Sequence, residues 1–368
     1  MVMRLTRTLF LVAALLSPIV VGEVGAKEAG EPFDREAWKA EVVRLGLDPE
    51  DVIYPFEASP EMTGWAEAVM AATNGLAPKL RLSRLQQAMF EPEVFDFAYD
   101  DTRTLTAEEA FSARRGNCMS FTALFIAMSR SVGIPTFLMA VRRDPEVGRD
   151  DGLVILNRHV VAGHRAGGQI STFDFQYTSE SRVVGGLVID DVQASAMFHA
   201  NLGGAALRNN DLAGALHNFE ITTTLTPDWA AGWVNLGVAL AHLGDVDRAF
   251  SAYRKALEID PGNSSALNNM SFLYSSLGRE AEARVALRAA TQRTESPFTL
   301  QAMADSEMLV GNDREAQTYL KRAKRRYPWE PEVYDGLARL ATRMDEHRRA
   351  EKYRRKAERL RGRAAGQH

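Results

Sequence analysis

An apolar run from Thr8 to Val21 follows a basic start that holds Arg4 and Arg7, and no later stretch of the 368-residue chain repeats that pattern. Residues 35–45 and 60–91 have helical spacing, the second segment closing near Glu91-Pro92, where proline disfavours helical backbone in the residue before it. Thr106-Ala107-Glu108-Glu109 has the form of a capping box, opening a short helix toward Arg114-Arg115-Gly116. Residues 119–132 are strongly apolar and contain no helix breaker, and Gly133-Ile134-Pro135 ends them as a helix C-terminus does. After Pro135 the period changes. Residues 136–141, 157–162, 168–177 and 182–188 are short runs rich in β-branched or aromatic side chains and predict strands. Asp144 to Gly152, with four acidic residues and two glycines, predicts a loop between strands. Helices followed by consecutive strands predict an α+β domain with an antiparallel sheet over 27–193, as a helical lead-in (27–112) and a core (113–193).

From residue 194 to 362 the pattern is a repeat. Ala215, Ala249, Ala283, Ala316 and Ala350 are 34, 34, 33 and 34 residues apart, and a bulkier side chain follows each by four: Phe219, Tyr253, Leu287, Leu320 and Arg354. Pro227, Pro261 and Pro328 fall where the second helix of a unit should end. Small residues recur in register at Gly203, Gly237, Ser271, Ala304 and Ala338. A 34-residue period of this kind resembles the tetratricopeptide repeat. The resemblance implies about five helical hairpins that stack because none can bury its apolar face alone, giving an all-α solenoid with a concave surface for a protein or peptide.

The start of the chain reads as a secretory signal peptide over 1–26, with small residues for cleavage after Ala26; an uncleaved membrane anchor is the alternative. Either way the protein is expected to be exported, to the periplasm or cell envelope. Export changes the meaning of the single cysteine, Cys118. In an oxidising compartment paired cysteines become disulfides, and one cysteine can form none within the chain. The net charge of −4, from 44 basic and 48 acidic side chains, argues against a nucleic-acid partner. Basic residues crowd the tail from Arg343 to Arg363, where a solvated face on a capping helix is the simplest reading and an anionic partner the other.

Cys118 stands where a glycine turn, Arg115-Gly116-Asn117, enters the apolar helix. There, unpaired N–H groups and the positive end of the helix dipole favour thiolate; a buried, inert cysteine is the competing reading. A nucleophilic cysteine needs a base, and the base an orienting group. His159 and His164 both lie in the strand region at an odd separation, so on one strand they face opposite ways; His159 lies within an extended run and is the candidate, while His164 looks like a hairpin-turn or surface residue. Asp174 is the carboxylate candidate. Strand alternation sets it with Thr172 and Gln176, opposite Phe173, Phe175 and Tyr177; a simple pairing with Arg158 or Arg165 is the alternative.

Cysteine, histidine and aspartate in that order, 41 and 15 residues apart, with Arg115-Gly116-Asn117-Cys118 and the apolar helix ending in Gly-Ile-Pro, resemble the transglutaminase-like superfamily over roughly residues 60–190. The resemblance implies a papain-like fold, with Cys118 as nucleophile, His159 as base and then acid, and Asp174 orienting the imidazole. The implied activity is acyl transfer at an amide, by hydrolysis or amine exchange, on a protein or peptide recruited by the repeats. Val161 and Phe173 stand where many relatives carry tryptophan. The alternative function is a non-catalytic scaffold of the cell envelope that binds proteins through both domains. No cofactor is expected, and one cysteine with scattered histidines shows no metal-ligand spacing. Membrane contact is expected only through an uncleaved leader.

Overall fold

The computed structural model describes residues 34–141, 148–150, 153–155, 159–175, 186–293, 297–309 and 311–365; the leader expected over 1–26 lies outside them. In chain order the first elements are α1 (Arg35–Arg44), α2 (Pro60–Met70), α3 (Pro78–Phe90), β1 (Ala98–Tyr99), α4 (Ala107–Ala113), β2 (Arg115–Gly116), α5 (Cys118–Ser131) and β3 (Phe137–Val141). They continue with β4 (Gly148–Asp150), β5 (Leu153–Ile155), β6 (His159–Ala166), β7 (Gln169–Phe173) and β8 (Gly186–Ile189). The helix expected over 60–91 is therefore two. Between them a 3₁₀ turn at Ala71–Thr73 runs into Gly75 at φ +83°, and Pro78 opens the second helix at a position where its missing N–H costs nothing.

Among the described residues three sheets form. The four-stranded one has the order β7-β6-β3-β8 and is antiparallel throughout, with Val141 opposite His159, Leu138 opposite Ile189 and Ala162 opposite Phe173. In addition, β1 and β2 make a short parallel pair, and β4 pairs with β5. Part of the segment expected to be a loop, Gly148–Asp150, is thus a strand. Helix α5 fills the space against the four-stranded sheet. Every residue from Met119 to Ser129 is buried, Phe125 stacks on Phe173 of β7 with ring centres 5.0 Å apart, and Thr122 Oγ1 donates to the Val160 carbonyl of β6 at 3.4 Å. A helix apolar on all sides needs cover on all sides. Around it Phe90 and Phe97 pack on Phe121 at 5.2 and 5.5 Å.

The remainder is helical: α6 (Asp191–Arg208), α7 (Leu212–Leu225), α8 (Ala230–His242), α9 (Val246–Ile259), α10 (Ser264–Ser276), α11 (Glu280–Arg293), α12 (Pro297–Leu309), α13 (Asp313–Arg326), α14 (Pro331–Arg343) and α15 (His347–Ala365). These make five consecutive pairs, and the five repeat-defining alanines each sit in the second helix of a pair with at most 1% of their surface exposed. The small residues of the first helices have the complementary role. At Gly203 of α6 an added Cβ would lie 2.6 Å from the Phe219 ring of α7, so only glycine admits that crossing.

By compactness the described residues divide into two units: 34–148 with Ile155–Ala239, and Arg149–Val154 with Leu240 onward. In the first unit, Arg130 at the end of α5 is the polar centre. It donates to Asp191 of α6 at 2.7 and 3.0 Å, to the Tyr54 hydroxyl at 3.0 Å and to the Thr136 carbonyl at 2.9 Å, while Tyr54 donates to Asp191 at 3.1 Å. Burial pushes the Tyr54 hydroxyl well above its ordinary pKa, so it remains a donor. In the second unit, Leu300, Leu320, Val333 and Leu337 form the core joining α12, α13 and α14.

Candidate active site

Asn117 starts the site. Its side chain caps α5 by accepting from the Ser120 N–H at 3.1 Å and donates to Thr104 Oγ1 at 2.8 Å. The Ser120 hydroxyl in turn accepts from the Leu105 N–H at 2.8 Å. Cys118 is consequently the first helical residue, half-buried, at the N-terminus of the most buried helix of the unit. Gly116, two residues earlier, has φ +154° and lies so close to the helix that a Cβ there would meet the Ser120 Cβ at 2.4 Å. Arg114, at φ +50°, makes the left-handed turn out of α4, whose capping box at Thr106 and Glu109 forms as expected.

His159 opens β6, and its Nε2 lies 2.7 Å from Asp174 Oδ2. Both side chains are mostly covered, at 13% and 15% exposure. With Nε2 engaged by the carboxylate, Nδ1 is the ring nitrogen left for the thiol, and the Cys118 side chain acts on the same ring by hydrogen bonding and by its charge. Burial alone would lower the His159 pKa. The hydrogen bonds to Asp174 and Cys118, with the charges of both, outweigh it and raise the value to about 9. The structure thus sets Asp174 against His159, with the Cys118 side chain acting on the same ring.

Two expectations about their surroundings are corrected. β7 ends at Phe173, so Asp174 lies outside it, and Gln176 and Tyr177 of the strand expected over 168–177 lie outside the described residues. A side chain of another element reaches Asp174 there: its carbonyl accepts from Gln86 Nε2 of α3 at 2.6 Å. His164 is neither a turn nor a surface residue. It is 4% exposed inside β6, with Nδ1 2.8 Å from the Pro135 carbonyl, and the hairpin turns at Gly167-Gly168, both at positive φ. The odd separation does send it away from His159.

Residue patterns did not point to Gln86, Tyr99 or Phe175. Phe175 meets the His159 ring edge-on with centres 5.4 Å apart, and Tyr99 stacks on Phe175 at 4.4 Å with planes 11° apart. No local signal marks Gln86 or Tyr99, which lie 88 and 76 residues before their partners. Asp174 itself carries Phe175 to the imidazole. No group of three or more potential metal ligands occurs among the described residues.

Residues 67–163 match the transglutaminase-like superfamily, a stretch that includes Cys118 and His159 and stops short of Asp174. Residues 200–264 and 240–303 match tetratricopeptide repeats. A heat shock protein sti1 homologue of Schizosaccharomyces pombe is 39% identical over 74 residues, covering 20% of this chain and 12% of that protein. The photosystem I assembly protein Ycf3 of Prochlorococcus marinus is 34% identical over 95 residues, covering 25% of this chain and 55% of that one. The chain thus spans from about an eighth to about half the length of these relatives. Among solved structures, pilF of Pseudomonas aeruginosa covers 46% of this chain and 78% of its own at 21% identity, with a TM-score of 0.42. The family matches over 67–163 and 200–303 show a transglutaminase-like domain joined to C-terminal tetratricopeptide repeats.

Proposed function

We propose that this protein is a thiol-dependent acyl-transfer enzyme of the transglutaminase-like type, exported to the cell envelope, acting on a protein or peptide that its repeats recruit. The observation that carries the reading is the His159 imidazole, held at 2.7 Å by Asp174 and acted on by Cys118. In this scheme the Cys118 thiol gives its proton to His159 Nδ1, and the sulfur attacks an amide carbonyl. The oxyanion that forms meets the Cys118 N–H, which the first turn of a helix leaves without an intrahelical acceptor. The imidazolium then protonates the departing amine, leaving a thioester on Cys118. Water or a second amine attacks it while His159 takes the proton back, and the released thiolate completes the cycle. Asp174 fixes the ring orientation and favours the imidazolium throughout.

The protein-interaction part rests on the repeat matches, because tetratricopeptide hairpins present extended binding surfaces. Export rests on the basic start, apolar run and small residues before Lys27; N-terminal sequencing of the protein from envelope fractions should then begin at Lys27. The enzymatic reading is tested with the full chain by activity-based labelling, followed by identification of proteins retained by Cys118→Ser. Turnover that survives Cys118→Ala removes it. A Cys118 that labels no faster than a free model thiol, with protein binding intact, supports the scaffold instead, a reading consistent with Val161 and Phe173 where relatives have tryptophan.

A further inference from the structure

We propose that Tyr99 is a positioning residue for the His159–Asp174 couple, acting through Phe175, whose ring it braces from outside. The inference rests on the acid–base reading of that couple given above. Asp174 lies outside the sheet. It stands one residue past the end of β7, and Phe175 follows it in a bend, so neither belongs to a strand. Strand pairing fixes His159, through its register with Val141, but does not fix the carboxylate it depends on. Side-chain anchors of Asp174 and Phe175 include Gln86, on the Asp174 carbonyl, and the aromatic stack on Phe175.

The stack is placed to do two things. Phe175 presents itself to the imidazole at 5.4 Å and 64°, an edge contact that limits rotation of the ring that Asp174 holds at Nε2. Water excluded from the Nε2–carboxylate bond also leaves that bond stronger, because the field between the partners is less screened. Tyr99 stacks on Phe175 almost face-parallel, and it is 53% exposed to solvent. Its backbone belongs to the ladder that leads to the nucleophile: Tyr99 pairs with Gly116, and the next N–H, of Asp100, donates to the Gly116 carbonyl at 3.0 Å. One residue therefore ties the approach to Cys118 to the segment that carries the acid–base couple.

The test is a pH titration of the His159 ring by NMR in the full-length protein labelled at histidine, comparing wild type, Tyr99→Phe and Tyr99→Ala. Wild type is expected to titrate near 9, Tyr99→Phe with it, and Tyr99→Ala about one unit or more lower, toward 6.5. If Tyr99→Ala leaves the midpoint unmoved, or Tyr99→Phe lowers it equally, bracing by the stack is wrong. A wild-type midpoint near 6.5 overturns the acid–base couple itself, which separates failure of the proposed function from failure of this inference. Should Tyr99→Ala not fold, Tyr99→Leu, which keeps apolar bulk without a stacking face, is read by the same criteria.

Discussion

A methyl group added at Gly116 has nowhere to go. Its Cβ would press on the Ser120 Cβ at 2.4 Å and Oγ at 2.7 Å, and that hydroxyl holds the Leu105 N–H. Gly116→Ala should cost about 1–3 kcal/mol in urea-melt stability and slow the alkylation of Cys118 two residues on. The histidines give a pH signature of their own. His159 is raised in the folded state from 6.5 to about 9, so its contribution to stability is complete below pH 6.5 and is lost as pH rises through 9. His199 behaves oppositely. Burial lowers its pKa, the bond to Asn218 resists, and the charge of His217 adds to the lowering. Its Nε2 accepts from the Ile53 N–H at 3.0 Å while Nδ1 lies 2.8 Å from Asn218 Oδ1, a pattern that requires the neutral ring. Its contribution is complete above pH 6.5 and lost as pH falls below it. Melting temperatures against pH should therefore show the acid-side loss removed in His199→Gln and the alkaline-side loss removed in His159→Gln. Cys118, His159 and Asp174 were legible because a lone thiol after a glycine turn, an imidazole on a strand and an acid among aromatics are each unusual locally. Gln86 and Tyr99 were not, because their meaning lies wholly in contacts across the chain.

At the level of elements, the places where sequence and structure differ have a common cause. Periodicity marks which face of a segment is buried, but not where tertiary contacts stop it. The run from Gly168 alternates well enough for one strand, yet β7 ends at Phe173, where Gln86 of α3 binds the next carbonyl, that of Asp174. Likewise α2 and α3 share apolar spacing, and Gly75 separates them. The repeats were read more closely because small residues at a fixed period have a purely geometric reason. Gly203→Ala tests it: with the Phe219 ring 2.6 Å from the new Cβ, the α6–α7 crossing must open, and about 1–3 kcal/mol should be lost in chemical denaturation. Arg130 is a second test of how elements are joined. Its bonds reach α6, Tyr54 and Thr136, and Arg130→Ala would strand Asp191 in the interior, costing on the order of 3–5 kcal/mol. Arg130→Lys, which keeps the charge without the planar fork, should recover only part of it.

For the whole molecule, the account divides labour between two kinds of fold. The transglutaminase-like part sets a thiol at a helix start and a histidine bonded to an aspartate, and the repeats supply surface for protein–protein interaction. Charge is also unequally shared. Between Asp313 and Arg363 there are 17 basic and 9 acidic residues, a net of +8, so the rest of the chain carries −12 against an overall −4. Helix α15 sets Arg348, Lys352 and Arg359 on the face away from its buried Ala350 and Ala357, as a terminal helix facing water should. The central claim, however, concerns one sulfur. The rate of iodoacetamide modification of Cys118 at neutral pH, in wild type and in His159→Ala, tests it most directly. The account predicts modification well above that of a free model thiol in wild type and a fall to that rate in the variant. Equal rates in wild type, variant and free thiol would contradict it.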